Sequence, residues 1–215
     1  MGPPLSGGID VFPDPASLAA GAAAAFAGAA KEDVAARGRM AVLLSGGRTP
    51  RPCHRQIAAA PAGTIPWDGV HLFWGDERRV PAGDPESNFG AAQDDLVSRV
   101  PLPAANVHPA PVGEPTVEAV AARYEETLRR FFGDGAGAFP VFDLVLLGLG
   151  LDGHVASLFP GGDWIAEDAR WVTPVHAPPG AGPRERVSVT LPVINNARRV
   201  WFLAAGAAKA AILRA

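Results

Sequence analysis

Residues 141–147 form a run that is apolar apart from Asp143, and Gly148, Gly150 and Gly153 follow it before His154. A strand apolar on both sides needs cover on both faces of its sheet, the condition met by a parallel sheet sandwiched between helices. The three glycines mark a sharp turn at the strand's carboxyl end, where backbone amides lie bare. Ligands of open α/β sheets bind outside the carboxyl ends of the strands, so this loop delivers His154 to a crevice suited to chemistry.

The rest of the chain repeats the pattern. Short apolar runs predict strands over residues 9–12, 40–44, 70–74, 187–191 and 200–204. Asp14 and Pro15 supply a cap and a first-turn proline for a helix reaching Arg37, in which Leu18, Ala22, Phe26 and Ala29 recur at helical spacing. Thr116 caps a second helix, whose stripe is Val117, Val120, Ala121, Tyr124, Leu128 and Phe131. Residues 206–214 begin a last helix, and residues 177–186 form a Pro/Gly-rich loop. Strands alternating with helices predict an α/β fold: a doubly wound, mainly parallel sheet with helices on both faces, Rossmann-like, in a single domain over residues 1–215.

Composition narrows the partners. A net charge of -3 argues against a broad basic face for nucleic acid, so an anionic ligand must be caught by local cations. No apolar stretch approaches the roughly twenty residues of a membrane helix. The single cysteine, Cys53, cannot form an intramolecular disulfide, and no apolar leader opens the chain; both predict a cytoplasmic protein.

Three strand ends carry chemistry. Ser45, Gly46, Gly47, Arg48 and Thr49 lie between a strand and a helix opening at Pro50, where amides, hydroxyls and the helix dipole converge on a phosphate; the competing reading is a plain strand-to-helix turn. Asp76, Glu77, Arg78 and Arg79 follow another strand, with Ser87 and Asn88 shortly after. The third is the His154 loop. Its glycines formally match G-x-G-x-x-G, but Pro160, Gly161 and Gly162 interrupt the chain before a long crossover helix can form, so the dinucleotide match is accidental. P-loop, nucleophile-elbow and zincin motifs are missing. Cys53, His54, His71, His108 and His176 have no metal-ligand spacing and are assigned to packing or surface; no metal and no cofactor is expected.

Together these segments resemble the glucosamine-6-phosphate isomerase/6-phosphogluconolactonase family, and within it the lactonases. The resemblance rests on Leu44, Ser45, Gly46 and Gly47; on Thr49 and Pro50; on Gly75, Asp76, Glu77, Arg78, Arg79, Val80 and Pro81; on Ser87 and Asn88; on residues 152–161; and on Gly206 with Lys209. They occur in family order from end to end. The related deaminases share the Asp-Gly-His core but continue with alanine, phenylalanine, asparagine and glutamate where this chain has Ala156, Ser157, Leu158 and Phe159. There are two departures. Arg48 replaces the family's usual serine, adding a phosphate contact or pointing outward. Family members also continue past residue 214 with more sheet and helix, so the resemblance implies a domain lacking the last C-terminal elements.

What the resemblance implies is hydrolysis of 6-phospho-D-glucono-1,5-lactone to 6-phospho-D-gluconate in the oxidative pentose phosphate pathway. His154 would be the general base on water, with Asp152 or Asp76 orienting its ring and the amides of residues 150–154 facing the oxyanion. The substrate and its phosphate would lie near Ser45, Gly46, Gly47, Arg48, Thr49, Arg78, Asn88, Gly153, Arg186 and Lys209, with Arg184 the rival of Arg186. The partner is then a small sugar-phosphate lactone, with oligomeric state open. The alternatives are a glucosamine-6-phosphate deaminase, recognised by released ammonia, and a non-catalytic sugar-phosphate-binding relative, recognised by binding without turnover.

Overall fold

The computed structural model describes residues 7–133, 135 and 138–214. Asp14 caps helix α1 (Pro15–Arg37), its carboxylate accepting the Ser17 amide at 2.7 Å. Strand β1 (Met40–Leu44), helix α2 (Pro50–Ala58), strands β2 (Val70–Trp74) and β3 (Asp76–Arg78), and helix α3 (Asn88–Asp95) follow. Next come strand β4 (Val107–His108), helix α4 (Val117–Phe132), and strands β5 (Leu144–Gly148), β6 (Val172–His176) and β7 (Glu185–Val189). Helix α5 (Leu191–Asn195) and strand β8 (Val200–Leu203) complete the elements longer than a 3-10 turn.

Five strands form a wholly parallel sheet in the order β4-β2-β1-β5-β8. Its period-two burial explains the continuous apolar runs. From β1, Ala41 and Leu43 pack toward Val120, Tyr124 and Leu128 of α4, while Met40, Val42 and Leu44 pack toward Phe26 of α1, Ile57 of α2 and Leu96 just after α3. Each fully buried large side chain contributes about 1.5–3 kcal/mol relative to exposure. Among the described residues, no helix is long and apolar enough to cross a membrane.

The second layer departs from the sequence expectation. Strands β3, β7 and β6 form a small antiparallel sheet over the α4 face, and Val187 and Val189 of β7 belong to that face's core. The predicted strand over 187–191 therefore starts earlier, runs antiparallel, and gives way to α5 at Leu191. Gly75 joins the layers: its amide donates to Leu44 O at 2.9 Å and its carbonyl accepts Val189 N at 2.8 Å. Tyr124 fixes the bend from behind, accepting Trp74 N at 2.8 Å and donating to Trp74 O at 2.9 Å.

Three further boundaries differ. Residues 9–12 form no strand: Ile9 is 90% exposed, and the Phe12 ring folds back against Gly21 of α1. Strand β5 begins at Leu144 because Asp143 is a polar staple, accepting Ala41 N at 2.7 Å and pairing with Arg37 and Arg198. The helix expected over 206–214 is a single 3-10 turn, Ala207–Lys209, followed by hydrogen-bonded turns.

Candidate active site

Beyond the carboxyl ends of β1 and β5 lies a cleft of about 450 Å³. The β1–α2 loop contributes Ser45, Gly46, Gly47, Arg48 and Thr49; β3 contributes Asp76 and Arg78; α3 contributes Asn88. The loop after β5 brings His154, β7 brings Arg186, and the turn after β8 brings Lys209. Residues spread over 165 positions of sequence thus meet because each follows or flanks a strand end.

His154 is held by its own loop. Its Nδ1 lies 2.6 Å from Asp152 Oδ1, its carbonyl accepts Gly150 N at 2.8 Å, and its ring leans on Phe159 at a centroid distance of 4.5 Å. Burial alone would raise the Asp152 carboxyl, but hydrogen bonds from the His154 ring and amide outweigh it and hold the group below its ordinary value. An ionised Asp152 can only accept, so Nδ1 carries the proton and Nε2 is left as a base. Gly150 is indispensable to this packing. A Cβ built on it stands 2.5 Å from His154 Cε1 and closer still to Nδ1 and to Asp152 Oδ1. No helix opens after these glycines, in keeping with an accidental dinucleotide match.

The opposite wall is cationic. Antiparallel pairing of β3 with β7 sets Arg78 directly across from Arg186, an arrangement of like charges that is unfavourable without an anion nearby. Burial, and after it the Arg78 charge, pull Arg186 below the usual arginine value against the opposing influence of Asp76, Glu86 and Glu77. Arg186 Nε donates to Pro183 O at 2.9 Å and Nη2 to Ala181 O, while Arg78 Nη1 donates to Glu86 O at 2.5 Å. Lys209 Nζ donates to Leu149 O, beside the His154 loop.

Asp76 is the cleft's carboxylate. It accepts from Asn88 Nδ2 at 3.2 Å and from Ser157 Oγ at 2.7 Å. Behind it, burial pushes the Glu77 carboxyl up, opposed by the amides of Phe89, Asn88 and Arg78. Glu77 thereby fixes the start of α3, accepting Asn88 N at 2.8 Å and Phe89 N at 2.7 Å. Gly46 lets the β1 loop approach Asn88, since a Cβ there would stand 3.0 Å from Asn88 Nδ2 and closer to its Oδ1.

Against the sequence expectations, Ser45, Gly46, Gly47, Arg48, Thr49, Asp76, Arg78, Asn88, His154, Arg186 and Lys209 share the cleft wall, and Asp152 and Gly153 do not. Asp152 stands behind His154, and Gly153 faces Ile212 instead, whose Cδ1 lies 3.2 Å from where a Cβ would be. Of the two carboxylates considered for the imidazole, Asp152 bonds it and Asp76 bonds Asn88 and Ser157. Arg184 is exposed outside the cleft, whereas Arg186 is 3% exposed within it. Of the amides of residues 150–154 considered for the oxyanion, three are engaged within the loop: those of Gly150, Gly153 and His154 donate to His154 O, Gly150 O and Asp152 Oδ1. Ser45 Oγ donates to Leu146 O at 2.6 Å, tying β1 to β5, and Asn88 Nδ2 also donates to Asp76 O at 2.9 Å. Sequence reasoning considered Gly150 only for its amide and Glu77 only as part of a charged strand end, and gave Ser157 no site role. Gly150 had a signal in its glycine spacing, but the other two depend on contacts between distant elements.

The remaining histidines lie elsewhere. His54 is buried on α2, His71 and His108 stack with Nδ1 and Nε2 3.3 Å apart, and His176 is a surface residue near Glu118.

Comparison with known proteins agrees with this arrangement. Residues 13–215 match the family described as glucosamine-6-phosphate isomerases/6-phosphogluconolactonase. A Synechocystis protein named 6-phosphogluconolactonase is 44% identical over 176 residues, covering 82% of this chain and 70% of that protein. One of the same name from Mycobacterium tuberculosis is 40% identical over 210 residues, covering 96% and 84%. The solved 6-phosphogluconolactonase from Trypanosoma cruzi superposes with a TM-score of 0.86 at 30% identity, covering 95% of this chain and 82% of that one. The chain belongs to the glucosamine-6-phosphate isomerase/6-phosphogluconolactonase family.

Proposed function

We propose that this chain is a lactonase that hydrolyses 6-phospho-D-glucono-1,5-lactone to 6-phospho-D-gluconate. One observation carries the reading: the Asp152–His154 pair, 2.6 Å apart, delivers an imidazole to a cleft walled by Arg78, Arg186 and Lys209. The names of the curated relatives favour the lactone over an amino sugar. His154 Nε2 takes a proton from water as the water oxygen attacks the lactone carbonyl, while Asp152 stabilises the imidazolium that forms. The tetrahedral intermediate then collapses with cleavage of the bond to the ring oxygen, which receives the proton from His154. Phosphate charge is balanced by the β1–α2 loop and by Arg78, Arg186 and Lys209, with Arg48, free of protein partners among the described residues, at the rim. Asp76 is positioned to accept from a sugar hydroxyl.

A single sugar-phosphate lactonase domain acting in the cytoplasm, without cofactor and on a small molecule rather than nucleic acid, goes with this reading; the net charge of -3 and the lone, buried Cys53 support it. The test is hydrolysis of freshly generated lactone, in mildly acidic buffer to slow spontaneous opening, by wild type, His154→Ala and a no-protein control. Wild type accelerates opening, and His154→Ala loses roughly two to four orders of magnitude in kcat. Equal turnover by the two proteins would remove His154 from the mechanism.

A further inference from the structure

Ser157 lies three residues past the base, is fully buried, and has no place in the chemistry above. It is turned inward by a tight turn in which Leu158 N donates to Val155 O at 2.9 Å and Ala156 adopts φ +50. A positive φ in a residue other than glycine is strained, and such strain concentrates where a local geometry is needed for function. Here the turn inserts one hydroxyl between two opposite charges. Ser157 Oγ donates to Asp76 Oδ2 at 2.7 Å and accepts from Arg186 Nη1 at 3.4 Å.

We propose that Ser157 is a positioning residue that holds Asp76 and Arg186 one hydroxyl apart, so that the guanidinium stays available to the substrate's phosphate instead of closing onto the carboxylate. The proposal deepens the lactonase reading and rests on it. Asp76 takes both its side-chain hydrogen bonds from neutral donors, Asn88 Nδ2 and Ser157 Oγ. A buried carboxylate satisfied in this way consumes no cation. Arg186 is correspondingly tethered by neutral acceptors, Ala181 O, Pro183 O and Ser157 Oγ. Removing the hydroxyl frees a lone pair on Asp76 and vacates the space between the two charges in a site shielded from water. The direct pair that forms then competes with phosphate for the same guanidinium.

The test is calorimetric binding of 6-phosphogluconate to wild type, Ser157→Ala, Asp76→Asn and the double variant, with lactone kinetics alongside. Ser157→Ala weakens binding by about tenfold or more, as expected for a phosphate deprived of a charge-assisted partner, and raises KM far more than it lowers kcat. Adding Asp76→Asn removes the competing charge and returns affinity to within about threefold of Asp76→Asn alone. A cavity or packing defect would not be rescued by neutralising Asp76, so a double variant that lies as far below Asp76→Asn as Ser157→Ala lies below wild type overturns the proposal, as does unchanged affinity in Ser157→Ala. Should Ser157→Ala fail to fold, Ser157→Cys, close in volume but a poor donor, carries the same expectation, and wild-type affinity there overturns it. A wild-type protein that neither opens the lactone nor binds 6-phosphogluconate overturns the lactonase reading itself; one that does both, with Ser157→Ala unaffected, overturns only the role of Ser157.

Discussion

Replacing Gly150 by alanine disables the base without altering it. The added Cβ falls 2.5 Å from His154 Cε1 and nearer to Nδ1 and to Asp152 Oδ1, so the ring and the carboxylate cannot both keep their places. What is lost is the 2.6 Å bond that orients the imidazole and steadies its charged form. A hydrogen bond to a charged group is worth about 1.5–3 kcal/mol. Lost from the transition state, that energy corresponds to roughly a 10- to 150-fold fall in kcat. Arg78, Arg186 and the Ser45 loop sit on other elements, so 6-phosphogluconate affinity should stay within about twofold of wild type. Stopped assays on fresh lactone give kcat, calorimetry gives affinity, and circular dichroism checks the fold. Asp152→Asn should produce a similar loss, and the double variant should be little worse than either, because both break one bond. Turnover by folded Gly150→Ala within threefold of wild type would refute the reasoning, as would losses that multiply in the double variant.

Two further outcomes follow from other parts of the molecule. Burial holds His54 down to about 4 from 6.5, with Asp95 opposing and Arg51 and Arg55 adding to the shift, so the unfolded chain takes up a proton before the native one does. That contribution is intact above pH 6.5 and is lost as pH falls toward 4; His54→Leu should remove about 2 kcal/mol of the stability difference between pH 7 and pH 5, read from denaturant midpoints, and an unchanged difference would contradict it. Arg78→Ala and Lys209→Ala should mainly raise KM if those cations hold ground and transition states alike, and a loss confined to kcat would contradict that division.

The parallel sheet could be read from sequence because its signals are local. Residues 40–44 are a continuous apolar run and residues 70–74 one broken only by His71, both closed by polar turns, and β1 and β2 have those bounds. Asp14 and Thr116 announce their helices because a cap is a contact over three residues. The antiparallel layer gave only one such signal, the run over 187–191 that corresponds to β7. Strand β3, Asp76–Arg78, reads as a charged loop, since its polar side chains enter a cleft and find partners on β7, α3 and the His154 loop. Residues 9–12 failed in the opposite sense: they have strand composition, but Phe12 packs on α1 and leaves them no partner. In the site, residue types pointed to chemistry, while the choice of Asp152 over Asp76 at the imidazole depended on where two loops meet in space.

The electrostatics of the cleft follow from that meeting. A chain of net charge -3 has no general attraction for a phosphate, so attraction must arise from how nearby carboxylates are engaged. Glu77 is buried among backbone amides and Asp76 is held by an amide and a hydroxyl, so the two buried carboxylates beside the arginines are satisfied by neutral donors, while the exposed Glu86 pairs loosely with Arg78 at 3.5 Å. Arg78 and Arg186 are meanwhile set opposite each other by strand register, a repulsion that Asp76, Glu86 and Glu77 offset in part and that an anion between them would relieve. Had either carboxylate paired directly with a guanidinium, the same residues would form a closed structural network like the one around Asp143, Arg37 and Arg198 at the other end of the sheet. The two clusters have similar composition; in the cleft the buried carboxylates are held by neutral groups and Arg186 has no carboxylate partner among the described residues, which keeps that cation available to a ligand.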